Sequence, residues 1–135
     1  MEDCLFCKIV VGQIQSAAIY KDDDALAFLD ILPRAPGHAL VVPKVHAPTL
    51  TDLPADKVGP LFLAVREVAN LMLARLKPDG LTVGINHGSM SGQAVDHLHV
   101  HIIPRYKGDG GGSIHSVVNN KPVETIDQIK AKLLN

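Results

Sequence analysis

The sequence lacks three features that would each assign the chain to a class of protein. No run of apolar residues approaches the roughly 20 that span a bilayer, so we expect no membrane segment. Only two cysteines are present, Cys4 and Cys7, and they lie too close together for a disulfide framework. Basic residues number 13 and acidic residues 14, a balance that argues against binding to nucleic-acid backbones.

The start of the chain also lacks the basic residues and long apolar stretch of a secretory leader. The acidic stretch from Met1 to Cys4 and the scarcity of cysteine together predict a cytoplasmic protein. A length of 135 residues suits one compact domain, which we assign to residues 1–135. The net charge of −1 leaves small anionic ligands as candidates, because they need only a local positive potential.

Hydrophobic patterning predicts an antiparallel α+β domain in which short polar turns connect the strands. Apolar residues at helical spacing, the last of them Leu76, predict one long helix with Asp52 as cap and Pro54 as first helical residue, ended by the Pro-Asp-Gly stretch at 78–80. Pro60 should lie in its first turns or at a kink. Residues 5–11 are too few to assign. We predict five strands, over 18–20, 25–29, 38–42, 81–85 and 95–103, and Pro104 ends the last of them. Loops are predicted over 31–37 and 86–93, and a flexible connector over 108–113. A final helix is predicted over 122–134.

Three histidines alternate with apolar residues in the stretch from His97 through His99 to His101. Successive side chains of a strand point to opposite faces, so the three imidazoles should share one face, roughly 6.5–7 Å apart. An unprotonated imidazole can attack phosphorus, and a neighbouring ring can stabilise phosphoryl oxygens. If the Nδ1–H of the attacking ring donates to a fixed acceptor, its Nε2 remains free.

The residues alone leave other interpretations of this stretch open. Three histidines on one strand face could form a metal site, as in some zinc enzymes. They could also be structural, although three adjacent buried polar side chains need partners and are costly. Phosphoryl chemistry and metal binding are favoured about equally by the pattern.

Several motifs together resemble the histidine triad family, in particular its nucleotide-binding branch and the bacterial zinc-containing type. The central motif is HLHVHII at 97–103, preceded by Gly-Gln and followed by Pro-Arg. The stretches FCKI at 6–9, FLDI at 28–31, PGH at 36–38 and VVPK at 41–44 resemble the same branch. The resemblance covers residues 4–105, which leaves 106–135 as a variable tail.

The resemblance implies a five-stranded antiparallel sheet with one long helix and a C-terminal helix, and sheets joined across a homodimer. It implies an enzyme, a nucleoside phosphoramidate or nucleotide hydrolase or transferase. Such an enzyme releases a nucleoside monophosphate from phosphoramidate or adenylate type substrates through a nucleotidyl-histidine intermediate on His99, without a catalytic metal. The ligand would be a purine nucleotide such as AMP. The alternatives are a dinucleoside polyphosphate hydrolase and a nucleotide-binding adaptor with little turnover.

The resemblance also assigns roles to individual residues. His99 corresponds to the nucleophile, His101 to the residue that contacts the α-phosphate and His97 to the one that supports the nucleophile. His38 would complete a proton or hydrogen-bond chain behind the site, and Asp30 would hold the ribose hydroxyls. The phosphate would be bound by Asn86, Gly92, Gln93 and Ala94, and the base by Leu5, Phe6, Ile9, Phe28 and Ile31.

One of these positions departs from the family pattern. Many relatives have Ser or Thr, whose hydroxyl helps the leaving group, where this chain has Ala94. Turnover of substrates with amine leaving groups is therefore in question, whereas the backbone N–H of Ala94 is retained.

The zinc-binding members of the branch share two further motifs with this chain, Cys-x-x-Cys and Pro-Lys-x-His. Carried over, the ligands are Cys4, Cys7, His46 and His97, a Cys₂His₂ set with no open position. Such a Zn²⁺ would be structural, and it would fix the ring of His97. Two free thiols are the alternative.

Overall fold

The computed structural model describes residues 3–135, so Met1 and Glu2 of the acidic start lie outside the described residues. Along this part of the chain, no helix is both long enough and apolar enough to cross a membrane. The helices are α1 (Leu5–Val10), α2 (Ala55–Leu76) and α3 (Ile126–Leu134); the strands are β1 (Ala18–Lys21), β2 (Ala25–Leu29), β3 (Ala39–Pro43), β4 (Gly80–Gly84) and β5 (Val100–Arg105).

The five strands form one antiparallel sheet in the order β1-β2-β3-β5-β4, which confirms the predicted α+β fold. Alternate residues of the central strands face opposite sides. One side packs under α2, where alanines of β2 and β3 meet Leu61 and Val68 beside Val100 and Ile102. On the other side, Leu26, Phe28, Leu40 and Val42 pack against Phe6 of α1.

The long helix α2 begins one residue later than predicted. Pro54 is its N-cap rather than its first helical residue, and Asp52 instead belongs to the preceding turn, where it forms a capping box with Thr49. Pro60 lies within the second turn. The helix ends at Leu76, and its C-cap Lys77 adopts the left-handed conformation with φ 51°.

The strand with the histidines differs from its predicted bounds at both ends. It begins at Val100 rather than at residue 95, because Leu98 donates its N–H to the carbonyl of Ala47 outside the ladder. It also continues through Pro104 to Arg105. Beyond Ile102 the strand pairs with β4 alone, so the missing N–H of Pro104 falls where β3 no longer pairs.

Capping hydrogen bonds at their N-termini mark where the first and the last helix begin. The unassigned segment after residue 4 is helix α1, whose N-cap Cys4 accepts the N–H of Cys7 at its sulfur. The C-terminal helix begins at Ile126 rather than at residue 122, because Thr125 and Gln128 form a capping box there. Helix α3 has no buried residue.

Candidate active site and metal centre

The triad imidazoles lie on the side of the sheet that carries α1. Leu98, Val100 and Ile102 are buried under α2, so the alternate residues face away from it. The rings of His99 and His101 have centroids 5.1 Å apart, closer than strand spacing alone predicts, and meet edge to face at an interplanar angle of 63°. Phe6 lies against both His97, at 5.9 Å, and His99, at 5.1 Å.

The ring of His99 is buried, 7% exposed, and held by its own main chain. Its Nδ1 lies 2.7 Å from the carbonyl oxygen of His97. Because a carbonyl only accepts hydrogen bonds, Nδ1 must carry the proton. In the neutral ring the lone pair is then on Nε2, which is the tautomer required for attack on phosphorus.

A second set of main-chain contacts fixes the tautomers of His38 and His101. The N–H of Arg34 donates to Nδ1 of His38 at 3.0 Å, so the proton of that neutral ring is on Nε2. Nε2 of His38 then donates to Nδ1 of His101 at 2.9 Å. The proton of His101 is consequently on its Nε2, from which it can donate to a ligand oxygen.

Burial keeps both of these rings neutral near pH 7. It lowers the pKa of His101 to about 4, with the neighbouring His99 and His38 acting in the same direction. Burial also lowers the pKa of His38, although Asp30 opposes the shift. A carboxylate oxygen of Asp30 lies 3.6 Å from Nε2 of His38, and the other accepts the N–H of Leu32 at 2.9 Å.

The loop before the triad is organised by the buried side chain of Gln93. Its amide oxygen accepts the N–H of Gly88 at 2.8 Å, and its nitrogen donates to the carbonyls of Pro48 and Val95 at 2.6 and 3.0 Å. The side chain therefore shapes the loop, while Ala94 is exposed. Gly92 has φ +105°, and the amide of Asn86 lies beside it.

The residues predicted to hold the base do not all lie together. Phe6 and Phe28 are buried and pack edge to face at 5.4 Å, with the half-buried Ile9 in the same cluster. Ile31 is 91% exposed, close in sequence to Asp30. Leu5 instead lines a separate cavity beside Cys4, His46 and Ala94.

The four predicted zinc ligands come together at the N-terminus of α1. Their ligand atoms, from Cys4, Cys7, His46 and His97, all lie within 4.8 Å of one another. Nδ1 of His97 is 3.4 Å from Sγ of Cys4 and 3.5 Å from Sγ of Cys7, and Nδ1 of His46 is 3.3 Å from Sγ of Cys7. Sulfur and nitrogen ligands of a tetrahedral Zn²⁺ lie about 3.6 Å apart, given bonds of ~2.3 and ~2.05 Å.

One further feature suits this group of side chains to a metal ion, and one opposes metal binding. Nε2 of His97 donates to the carbonyl of Pro43 at 2.8 Å, which leaves Nδ1 as the free ligand atom. Burial and the neighbouring Cys4 raise the pKa of the Cys7 thiol, so a bound cation would have to displace its proton. The donor set therefore fits Zn²⁺.

Sequence reasoning assigned no role to two arginines near the site. Arg34 donates its backbone N–H to His38, and its side chain borders a cleft beside His101. Arg105 joins β5 to the following turn through Asp109, at 2.8 and 3.1 Å. The four-residue spacing of Arg105 and Asp109 could have predicted their ion pair from the sequence, whereas no local sequence pattern marks Arg34.

Comparison with known proteins places this geometry in a family. The family model described as HIT domain matches residues 11–108. The chain belongs to the HIT domain family. It is 44% identical to the Bacillus subtilis protein called Protein hit, over 84% of this chain and 79% of that one.

Solved structures of HIT proteins share this fold. The crystal structure of a HIT family member from Bacillus subtilis has a TM-score of 0.86 and 38% identity, covering 97% of this chain and 94% of that one. A zinc-bound histidine triad family protein from Mycobacterium smegmatis has a TM-score of 0.75 and 34% identity, covering 91% and 85%.

One HIT relative has an activity in its name. The adenylylsulfatase HINT3 of Arabidopsis thaliana is 37% identical over 79% of this chain, which spans 54% of that protein. At the level of the family, the HIT chain described here is a nucleotide-binding hydrolase or transferase.

Proposed function

We propose that this HIT protein releases nucleoside monophosphates, such as AMP, through a nucleotidyl intermediate on His99. The observation that carries the proposal is the 2.7 Å hydrogen bond from Nδ1 of His99 to the carbonyl of His97. The lone pair on Nε2 forms the nitrogen–phosphorus bond, and the leaving group departs with the electrons of its own bond to phosphorus. Water then attacks the phosphorus, and the electron pair returns to Nε2.

The surrounding groups stabilise charge on the phosphate rather than take part in bonding. Nε2–H of His101 donates to one non-bridging oxygen and the backbone N–H of Ala94 to another, because the N–H groups of Gly92 and Gln93 already donate to the carbonyls of Ser89 and Gly88. Asp30 accepts the ribose hydroxyls. The purine base lies against Ile9, Ile31 and the edges of Phe6 and Phe28, whereas Leu5 lines a separate cavity and is not part of this set.

The proposal is tested with an adenosine 5′-phosphoramidate. His99→Ala should lower AMP release at least about a thousandfold, as expected for loss of a nucleophile. His115→Ala, in the exposed tail, is the matched control and should retain full activity. Acid quenching followed by mass spectrometry should detect an AMP adduct on His99 in the wild type.

Other outcomes of the same assay identify other functions. If wild type and His99→Ala are equally inactive but bind AMP, the protein is a nucleotide-binding adaptor. If a diadenosine polyphosphate is cleaved much faster than the phosphoramidate, the protein is a dinucleoside polyphosphate hydrolase.

We also propose one structural Zn²⁺ held by Cys4, Cys7, His46 and His97. Support comes from the ligand geometry and from the zinc-bound relative. The ion would connect the N-terminal helix to the segment that carries the nucleophile. It would supply no reacting group.

The protein is further proposed to form a homodimer through the edge of β4. Strands β1 and β4 are the two edges of the sheet. Strand β1 ends in Lys21 and has an irregular register, which disfavours pairing, whereas β4 carries no charged residue. Sedimentation equilibrium should give twice the monomer mass of 14.5 kDa, and a monomer would refute the proposal.

A further inference from the structure

A cleft of about 560 Å³ is lined by His101 and by residues of β4, β5, the loop of Arg34 and the tail. The ring of His101 lies 5.1 Å from that of His99, so this cleft adjoins the point where a leaving group would separate from the phosphate. Its walls are mainly apolar, and the tail closes one side. The apolar lining residues include Val83, Ile85, Ile103, Ile114 and Val117.

Two arginines reach this cleft, but only one has a charge free for a ligand. Arg105 donates to both carboxylate oxygens of Asp109, to the hydroxyl of Thr82 and to the carbonyl of Gly112. The guanidinium of Arg34, by contrast, has no carboxylate within 4.0 Å among residues 3–135. Arg34 therefore supplies the unpaired positive charge of the cleft within the described part of the chain.

The position of Arg34 is fixed by its main chain. Its N–H donates to Nδ1 of His38, and Pro33 and Pro36 restrict the backbone on either side. The hydroxyl of Tyr106 donates to the carbonyl of Pro36 at 3.1 Å, which ties the loop to the end of β5. The charge lies near enough to His38 to add to the effect of burial in lowering the pKa of that ring.

The chemistry of the cleft favours a leaving group that departs as an anion. An amine must gain a proton as it leaves, yet His38 and His101 both have lowered pKa values and are neutral near pH 7. Ala94 offers no side-chain donor. A carboxylate or sulfate departs without a proton, and a guanidinium stabilises its developing charge.

We propose that Arg34 binds the oxyanion end of the leaving group in this cleft and so selects nucleotidyl oxyanion substrates over phosphoramidates. The inference rests on the proposed function. For an acyl nucleotide, Nε2 of His99 bonds to phosphorus and the bond from phosphorus to the carboxyl oxygen breaks. The electron pair goes to that oxygen, which leaves as a carboxylate paired with Arg34, while the acyl body lies against the apolar wall.

The turnover test uses two substrates with matched apolar bodies, benzoyl adenylate and adenosine 5′-(N-benzyl)phosphoramidate. Arg34→Gln should lower kcat/KM for benzoyl adenylate about tenfold, the effect of losing a charge-assisted hydrogen bond, and change the phosphoramidate less than about twofold. Arg34→Lys should recover part of the loss. The control variant is Arg66→Ala, because the side chain of Arg66 is 72% exposed on α2. In H₂¹⁸O the label must enter AMP rather than benzoate, which confirms attack at phosphorus.

A binding test separates this inference from the proposed function. In the His99→Ala background, Arg34→Gln should weaken the binding of adenylyl sulfate about fivefold at low salt and leave AMP affinity unchanged. If the wild type turns over neither substrate but this shift is present, the proposed function fails and the anion site stands. A selective loss with benzoyl adenylate but not adenylyl sulfate identifies the carboxylate as the oxyanion. The inference is overturned if Arg34→Gln lowers kcat/KM equally for the two turnover substrates. It is also overturned if Arg34→Gln changes neither kcat/KM in the first test nor affinity in the second.

Discussion

Nε2 of His38 lies 2.9 Å from Nδ1 of His101, and the backbone N–H of Arg34 donates to Nδ1 of His38. The resulting chain runs in one direction, from a backbone donor through two neutral rings to Nε2–H of His101. Since a backbone N–H cannot accept, neither ring can reverse its tautomer without losing a hydrogen bond. The direction of the last donor, toward the phosphate, is thereby set by main-chain geometry.

Removal of His38 should release His101 from this tautomer. We expect His38→Ala to lower kcat about tenfold, the equivalent of one lost hydrogen bond in a buried site. His38→Gln should recover much of the loss, because its amide can accept from Arg34 and donate to His101. The ¹⁵N shifts of the His101 ring should show mixed tautomers in the alanine variant alone; an unchanged tautomer there would contradict the chain.

The lowered pKa of His101 predicts a definite dependence of stability on pH. Its pKa falls from 6.5 to about 4 on folding, so between these values the unfolded chain binds a proton that the folded chain does not. The free energy of unfolding should therefore decrease as the pH falls from about 6.5 to 4 and gain nothing more from this group above 6.5.

The measurement is urea unfolding of wild type and His101→Gln at several pH values, both loaded with Zn²⁺. Taking the difference between the two curves removes losses that both proteins share, such as acid release of the metal. The variant should lose less stability than the wild type across this pH window. Parallel curves would show that His101 does not titrate as described.

Removal of zinc should destabilise the whole protein rather than only α1. Ligand binding at about 1,000 times Kd adds roughly 4 kcal/mol to the free energy of unfolding, which a chelator should abolish. Cys7→Ser should purify with less than one equivalent of zinc by elemental analysis and unfold at the temperature of the chelated wild type. His115→Ala should keep one equivalent, and a fully stable, metal-free wild type would exclude a structural ion.

Features that depend only on neighbouring residues were predicted correctly from the sequence, whereas features that depend on distant contacts were missed. Period-two alternation placed His99 and His101 opposite Val100 and Ile102, because side-chain direction in a strand needs no tertiary information. The irregular path before Val100 was missed because it depends on Leu98 bonding to Ala47, fifty-one positions earlier.

Residues that serve the core cannot be distinguished by pattern from residues that line a ligand site. Phe6 and Phe28 were assigned to the base, and the structure shows both mainly buried against each other. The contact from Arg34 to His38 was equally inaccessible, since it follows from loop geometry. The division into a core of 4–105 and a variable tail of 106–135 stays a prediction.

Gly37 connects the loop of Arg34 to His38, and its backbone conformation strongly favours glycine. Its φ of +90° disfavours any side chain, and an added Cβ would collide with Cδ1 of Leu76 and lie 3.2 Å from Cγ of Pro104. Gly37→Ala should therefore lower the free energy of unfolding by about 2–4 kcal/mol, from left-handed strain and overpacking combined. It should also reduce kcat, because movement of this loop shifts His38 away from His101.

The matched control is Gly59→Ala, within α2, where a Cβ would meet nothing within 4 Å. Alanine favours the helix over glycine by up to about 1 kcal/mol, so this variant should be as stable as the wild type or more so. Urea unfolding at constant zinc concentration compares the two. If Gly37→Ala proves as stable as Gly59→Ala, then α2 and β5 have room to move away from this loop, and the fixed position assigned to His38 is wrong.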